Sequence, residues 1–421
     1  MSWKLICIRC GLEWPTQEVR YRCACGGTLD VVLGDGSKLS FEEADRRLMS
    51  RGSVDRSGVW RFREWVLPLP SEHIVTKPEG NTNLYSSRRV ASYVGLDEVW
   101  MKHEGENPTG SFKDRGMTAG VSAARWLGME RVACASTGNT SASMAAYAAQ
   151  AGMKAFVFVP AGQIAYGKLS QALAYGATTL QIAGDFDDAM RLVEQVSASE
   201  GIYLLNSVNP YRIEGQKSIA FEILQDRQWS VPDWIVLPGG NLGNNAAISK
   251  GFMELYQAGR IPRLPRIAVV QAEGANPLYR AWTTGRPLQP MRAETLATAI
   301  RIGDPVSFDR SMRGLNALNG VVVSVDDAQI LDAKAEVDAA GIGAEPASCA
   351  SIAGLKALVR DGVIGVGQQV VAVLTGHLLK DPDSVVKYHR SEWPGVQCRL
   401  ANRPRSVGAT LPEVLAAIRE S

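Results

Sequence analysis

Lys113 stands in the stretch NPTGSFKDRG, residues 107–116, two positions after Ser111 and three after Gly110, between apolar Phe112 and acidic Asp114. Turn-forming residues before it fix where the amine stands, whereas most lysines are solvated cations on polar helix faces. An amine that attacks a carbonyl must be neutral, so it has to be desolvated or set beside cationic and donor groups that lower its pKa. Phe112 is the candidate apolar wall. The alternative reading is an ordinary surface lysine.

Three further stretches are suited to anions, and each follows an apolar run. GGNLGN, residues 239–244, comes after DWIVLP and opens an Ala-rich helical run. Its glycines let several N–H groups converge at a helix start, which favours a phosphate. It is neither a P-loop nor a dinucleotide fingerprint, and an unliganded turn is the alternative. STGNTSAS, residues 136–143, follows RVACA and sets Ser136, Thr137, Asn139, Thr140 and Ser141 at one helix start. That is more donors than a cap uses, and it suits a carboxylate. NSVNPYRIEGQKS, residues 206–218, follows IYLL and offers Asn206, Ser207, Asn209, Arg212 and Lys217. Arg212 is the natural bidentate partner of a phosphate or carboxylate. After VVAVL comes TGHLLKDP, residues 375–382, with Thr375 at the strand end.

The elements that must hold these groups follow from texture. From about residue 76, short apolar β-rich runs alternate with Ala-rich helical runs, which predicts an α/β fold of doubly wound, mostly parallel sheets in two subdomains. Ligands of such sheets sit at the carboxyl ends of the strands, where all four stretches fall. The expected boundaries are a module at 1–35, a connector at 36–75, a catalytic domain at 76–390 with a smaller mobile subdomain at roughly 130–205, and an extension at 391–421. Thr410 and Glu413 stand in capping-box relation and predict a short final helix.

A reactive lysine, a Gly-rich phosphate loop and a hydroxyl at another strand end are the anchors pyridoxal 5'-phosphate requires for its aldehyde, phosphate and ring nitrogen. KHEGENPTGSFKDRG, ASTGNTSAS, NSVNPYRIEGQKS, LPGGNLGN and LTGHLLKDP, in this order, resemble the threonine synthase family of fold type II, tryptophan-synthase-β-like enzymes, over roughly residues 76 to 390. The resemblance implies that Lys113 holds the cofactor aldehyde and shuttles protons, with Phe112 beside it. Gly239, Gly240, Asn241, Gly243 and Asn244 would bind the cofactor phosphate, Asn139 the phenolic oxygen, and Thr375 would face the ring nitrogen. Ser136, Thr137 and Thr140 would surround the substrate carboxylate, and Asn206, Ser207 and Arg212 would bind the substrate phosphate. The implied reaction takes O-phospho-L-homoserine to L-threonine by γ-elimination and β-addition of water, in a cytosolic homodimer. Leu378 stands where the family pattern carries glycine.

Rival activities on the same fold are cysteate synthase, acting on O-phosphoserine with sulfite, and threonine dehydratase, which has no use for a second phosphate site. A catalytically silent binding module is the rival of another class, and the intact Lys113, Asn139 and GGNLGN count against it.

Cys7 and Cys10, then Cys23 and Cys25, form two close pairs that can close a tetrahedral thiolate site, read as a zinc-ribbon-like module with structural zinc. A module that has lost its metal is the alternative. His73, His103, His377 and His389 have no metal-ligand spacing, and Glu345 in EPAS is near a further turn without an assigned role. The 421 residues carry 45 basic and 43 acidic side chains, interspersed, so nothing recommends nucleic acid or a membrane surface, and no stretch approaches the ~18 apolar residues of a membrane span. The expected partner is a small molecule.

Overall fold

The computed structural model describes residues 3–34, 40–161 and 166–420. Its strands, numbered along the chain, are β1 Trp3–Cys7, β2 Glu13–Trp14, β3 Leu29–Leu33, β4 Leu84–Ser86, β5 Trp100–His103, β6 Arg131–Ala135, β7 Lys154–Pro160, β8 Thr178–Ile182, β9 Tyr203–Leu204, β10 Trp234–Pro238, β11 Arg266–Ala272, β12 Val321–Val325 and β13 Val370–Leu374. They gather into three sheets. The largest has the order β12-β11-β10-β13-β5-β4, parallel except for the β4 edge. The second, β8-β7-β6-β9, is parallel throughout. The third, β2-β1-β3, is antiparallel and carries the four N-terminal cysteines at its turns.

The central strands read WIVLP and VVAVL and are buried along their whole length, because helices cover both faces and leave no solvated side to alternate toward. Among the described residues no helix is long and apolar enough to cross a membrane. The stretch read as a polar connector packs instead: Trp60 and Phe62 are fully buried, and the Trp60 indole N–H donates to Thr118 Oγ1 at 2.7 Å. Residues 35–39, at the expected junction of module and connector, lie outside the described set. The final helix forms at Leu411–Arg419, but the Thr410 hydroxyl donates to the Glu413 carboxylate at 2.5 Å and the expected capping box is not made.

The helix Lys113–Trp126 begins with the singled-out lysine and packs against the helix Pro210–Gln216, which carries Arg212. Glycines bring the two together. A Cβ at Gly116 would lie 2.6 Å from Gln216 Nε2, one at Gly120 2.7 Å from Leu205 Cδ2, and one at Gly215 would overlap the Arg115 carbonyl. Gly215→Ala is therefore expected to lower unfolding free energy by roughly 3 kcal/mol, the cost of forcing apart a packed crossing. Urea unfolding measures this, and a loss under about 0.5 kcal/mol would show that the helices separate freely.

Charge fixes the same helix from the other side. Arg115 is buried with Glu104, at 2.6 and 2.7 Å, and with Glu222, which also meets Lys102 at 3.0 Å and Arg61 at 2.6 Å. Buried partners of this kind cannot leave singly without stranding a charge, so the lysine helix is held in one position relative to β5.

The cysteine-bearing sheet docks on both larger layers. Asp30 pairs with Arg310 at 2.9 Å, Lys250 Nζ donates to the Val31 carbonyl at 2.6 Å, and the Leu204 N–H donates to Tyr21 Oη at 2.7 Å.

Candidate active site

Carboxyl ends of β5, β6, β9, β10 and β13 lead into the segments that carry the candidate residues. Lys113 is the first residue of its helix, preceded by the turn Asn107–Phe112. Asp114 holds that turn: its carboxylate accepts from the Thr109 N–H at 2.7 Å, the Thr109 hydroxyl at 2.6 Å and the Ser143 hydroxyl, tying the loop to the helix Asn139–Ala151. Burial raises the Asp114 carboxyl to about 6 although these donors oppose it. The spacing that drew attention to Lys113 thus encodes a tethered turn.

Lys113 Nζ lies 4.1 Å from the centroid of the Phe112 ring. Desolvation and, next, the nearby Arg212 cation lower its pKa to about 7, opposed by Glu345. The helix N-terminus also disfavours a cation there. A neutral amine is available near physiological pH, which an ordinary lysine does not provide. Two consequences follow for the cofactor-free protein. Its rate of capturing pyridoxal 5'-phosphate should rise with pH to a half-maximum near 7, by stopped-flow absorbance, whereas a midpoint above 9 would contradict the environment described. Because the unfolded lysine keeps its proton to about 10.5, stability should rise as pH climbs from 7 to 10.5.

Arg212 is 2% exposed, and among the described residues it has no carboxylate partner. One guanidinium N–H donates to the Leu205 carbonyl at 3.0 Å, and Nε is buried without a hydrogen-bond partner. Burial lowers its pKa to about 10. A desolvated guanidinium without a carboxylate beside it is a receptor for an anion.

Its expected companions divide. Asn206 is occupied: its amide accepts from the Ala135 N–H at 3.0 Å and donates to the Ala135 carbonyl at 3.1 Å, extending the β6–β9 pairing. Ser207 is half-buried in the turn between β9 and the helix Pro210–Gln216. Asn209 caps the Arg212 helix, and Lys217 is spent on Glu214 at 2.5 Å and Glu254 at 2.6 Å, so neither belongs to the anion site.

At the end of β10, a Cβ on Gly239 would meet Val269 Cγ1 at 2.5 Å and one on Gly240 would meet Ile300 Cα at 3.0 Å, so the backbone passes where only glycine fits. Asn241 Oδ1 accepts from the Val306 N–H at 3.2 Å and shapes the loop. At the head of the helix Gly243–Gln257 both amide atoms of Asn244 are buried without partners among the described residues. Ser307 Oγ and Gln216 Oε1, also unpartnered, each lie 3.8 Å from a Cβ built on Gly243. Stranded polar atoms around a helix N-terminus fit a phosphate. Sequence reading missed Ser307 and Gln216, which arrive from distant segments.

Ser136, Thr137 and Thr140 are half-buried around the start of the helix Asn139–Ala151; among the described residues neither threonine hydroxyl has a partner. Thr375 is buried with its hydroxyl 3.0 Å from Ser348 Oγ, and its carbonyl accepts from the Phe112 N–H at 3.0 Å. Leu378, which replaces a glycine of the family pattern, packs over Gly343 and leaves the Thr375 bonds in place. His377 stacks on His103 with centroids 6.1 Å apart, and its Nδ1 accepts from the Leu379 N–H, a structural role.

Asn139 Nδ2 lies 3.1 and 3.3 Å from the two carboxylate oxygens of Glu345, which sequence reading left unassigned. Glu345 is buried, and burial raises its pKa. In the N-terminal sheet, the Sγ atoms of Cys7, Cys10, Cys23 and Cys25 all lie within 4.8 Å of one another.

Comparison with known proteins bears on the family. Residues 75–376 match the model of the pyridoxal-phosphate dependent enzyme family. Threonine synthase of Methanosarcina acetivorans is 48% identical over 91% of this chain and 93% of its own, and that of Methanocaldococcus jannaschii 44% identical over 90% and 94%. The crystal structure of threonine synthase from Escherichia coli, 19% identical, shares the fold with a TM-score of 0.69 over 99% of each chain.

Proposed function

This chain belongs to the pyridoxal-phosphate dependent enzymes, and to the threonine synthases among them; on that premise we propose that it converts O-phospho-L-homoserine and water to L-threonine and phosphate. The observation that carries the reading is Arg212, a buried cation without a carboxylate partner among the described residues, set close enough to Lys113 to lower its pKa. One phosphate belongs to the cofactor at the head of the helix Gly243–Gln257, and Arg212 provides for a second.

Lys113 would hold the aldehyde carbon of the cofactor, Gly239, Gly240, Asn241, Gly243 and Asn244 would hold its phosphate with Ser307 and Gln216 nearby, Asn139 would hold its phenolic oxygen, and Thr375 would face its ring nitrogen. When bound, pyridoxal phosphate supplies the electron sink that makes hydrogens on Cα and Cβ of an amino acid acidic. Ser136, Thr137 and Thr140 grip the substrate carboxylate, and Arg212 with Ser207 grips its phosphate, so the carbon chain is stretched past the Lys113 amine. The Lys113 amine carries one proton at a time: it takes one from Cα and releases it before it takes one from Cβ. As the Cγ–O bond breaks and phosphate leaves with its electron pair, the amine delivers a proton to Cγ. A water oxygen bonds Cβ, giving up one proton to the departing phosphate, and a proton returned to Cα completes the product. Thr375, a neutral hydroxyl, would donate or accept there without imposing a full charge on the ring nitrogen.

The test is chain length. O-phospho-L-homoserine should yield L-threonine and phosphate in equal amounts, and O-phospho-L-serine with sulfite should yield neither cysteate nor phosphate. Cysteate from the second pair without threonine from the first would overturn the substrate assignment.

The cysteines fit zinc. Nearest Sγ pairs are 3.4 to 3.6 Å apart, against about 3.8 Å for the edge of a tetrahedron with zinc–sulfur bonds near 2.3 Å. We assign them one structural zinc. Removing it with a chelator should lower the melting temperature by several degrees through the loosened contacts of Asp30 and Tyr21, and less than 0.1 zinc per chain in protein purified without chelator would refute the assignment. The reading extends to a cytosolic homodimer, which sedimentation velocity checks for the oligomer.

A further inference from the structure

The helix Pro346–Arg360 starts at the active site, and its first turn faces two groups assigned to the cofactor. Ser348 meets Thr375, while Glu345, at the N-cap, meets Asn139. Glu345 is 5% exposed, yet among the described residues its carboxylate has a hydrogen-bond partner only in the Asn139 amide. Its place is reserved by a glycine. A Cβ at Gly376, the residue after Thr375, would overlap a Glu345 carboxylate oxygen. Burying a carboxylate whose hydrogen bonds come from one neutral amide is costly even with Lys113 and Lys380 nearby, so the pair has a use beyond packing.

We propose that Glu345 is a positioning residue that fixes the orientation of the Asn139 amide. By accepting from Nδ2 it requires the NH2 group, not the carbonyl, to face the site, so that the second Nδ2 hydrogen is presented to the phenolic oxygen of the cofactor. Without this acceptor the amide can turn and offer its oxygen, which repels a phenolate. The inference rests on the functional reading above.

The test uses full-length protein loaded with pyridoxal 5'-phosphate and read first by its visible absorption, without turnover. Glu345→Ala should shift the absorption and weaken cofactor retention about 10-fold, and lower kcat by roughly 10- to 100-fold with KM for O-phospho-L-homoserine within about 2-fold. Glu345→Gln keeps an acceptor oxygen, so it should restore the wild-type spectrum and most of kcat. Gly376→Ala displaces the carboxylate and should reproduce Glu345→Ala. On an Asn139→Ala background, Glu345→Ala should add little, because the group it positions is gone. A wild-type spectrum in Glu345→Ala, a Gln variant as poor as the Ala variant, or additive effects in the double variant would each overturn the inference. Failure of the wild-type protein to bind pyridoxal 5'-phosphate at all would instead overturn the functional reading on which it rests.

Discussion

Lys113→Ala loses turnover by roughly 10⁴-fold or more and loses the absorption that sodium borohydride removes from the wild-type protein, while remaining folded. The amine is asked to hold the cofactor and to move protons at three successive carbons, so no neighbour replaces it. Arg115 and Asp114 carry the local packing, through Glu104, Glu222, Thr109 and Ser143, and the substitution leaves both intact. Wild-type circular dichroism with absent turnover is the expected pair of results. Retained turnover would remove Lys113 from its role.

Arg212→Ala should lower kcat/KM for O-phospho-L-homoserine by roughly 10²- to 10³-fold, the effect of losing a desolvated charge-assisted contact of about 3 to 4 kcal/mol. Cofactor binding should change little, since the stranded polar atoms of Asn244 and Ser307 lie on other elements. A second effect separates this account from a simple loss of affinity. Arg212 is a cause of the low Lys113 pKa, so its removal should move the midpoint of cofactor capture upward in pH. Arg212→Lys should not restore activity, because a point charge on a flexible stem cannot reproduce a planar fork held by Gly120 and the Leu205 carbonyl. Unchanged kcat/KM in Arg212→Ala would place the substrate phosphate elsewhere.

Much of the site was legible because its residues follow apolar strands, and a parallel sheet delivers strand ends to one edge. The GGNLGN loop and the STGNTSAS turn could be read from glycine spacing and clustered hydroxyls alone. Glu345, Ser307 and Gln216 could not: their use depends on which helix starts meet, which topology decides. Lys217 shows the converse error, since local charge suggested an anion site while Glu214 and Glu254, the latter 37 positions away, claim its ammonium. Asn206 was assigned to a phosphate but closes a gap in backbone pairing beyond β9. Trp60 and Phe62 made a polar-looking stretch part of the core, because a few buried aromatics outweigh many polar neighbours. Closeness of Lys113 and Arg212 was equally invisible, for it depends on Gly116, Gly120 and Gly215 at a helix crossing.

The central claim is that one lysine amine moves protons along a phosphorylated four-carbon amino acid. Proton NMR of the product formed from O-phospho-L-homoserine in deuterated water tests it most directly. L-Threonine carrying deuterium at Cα and in the methyl group, with one original hydrogen kept at Cβ, is the predicted result. Phosphate released with 2-oxobutanoate in place of threonine would contradict it.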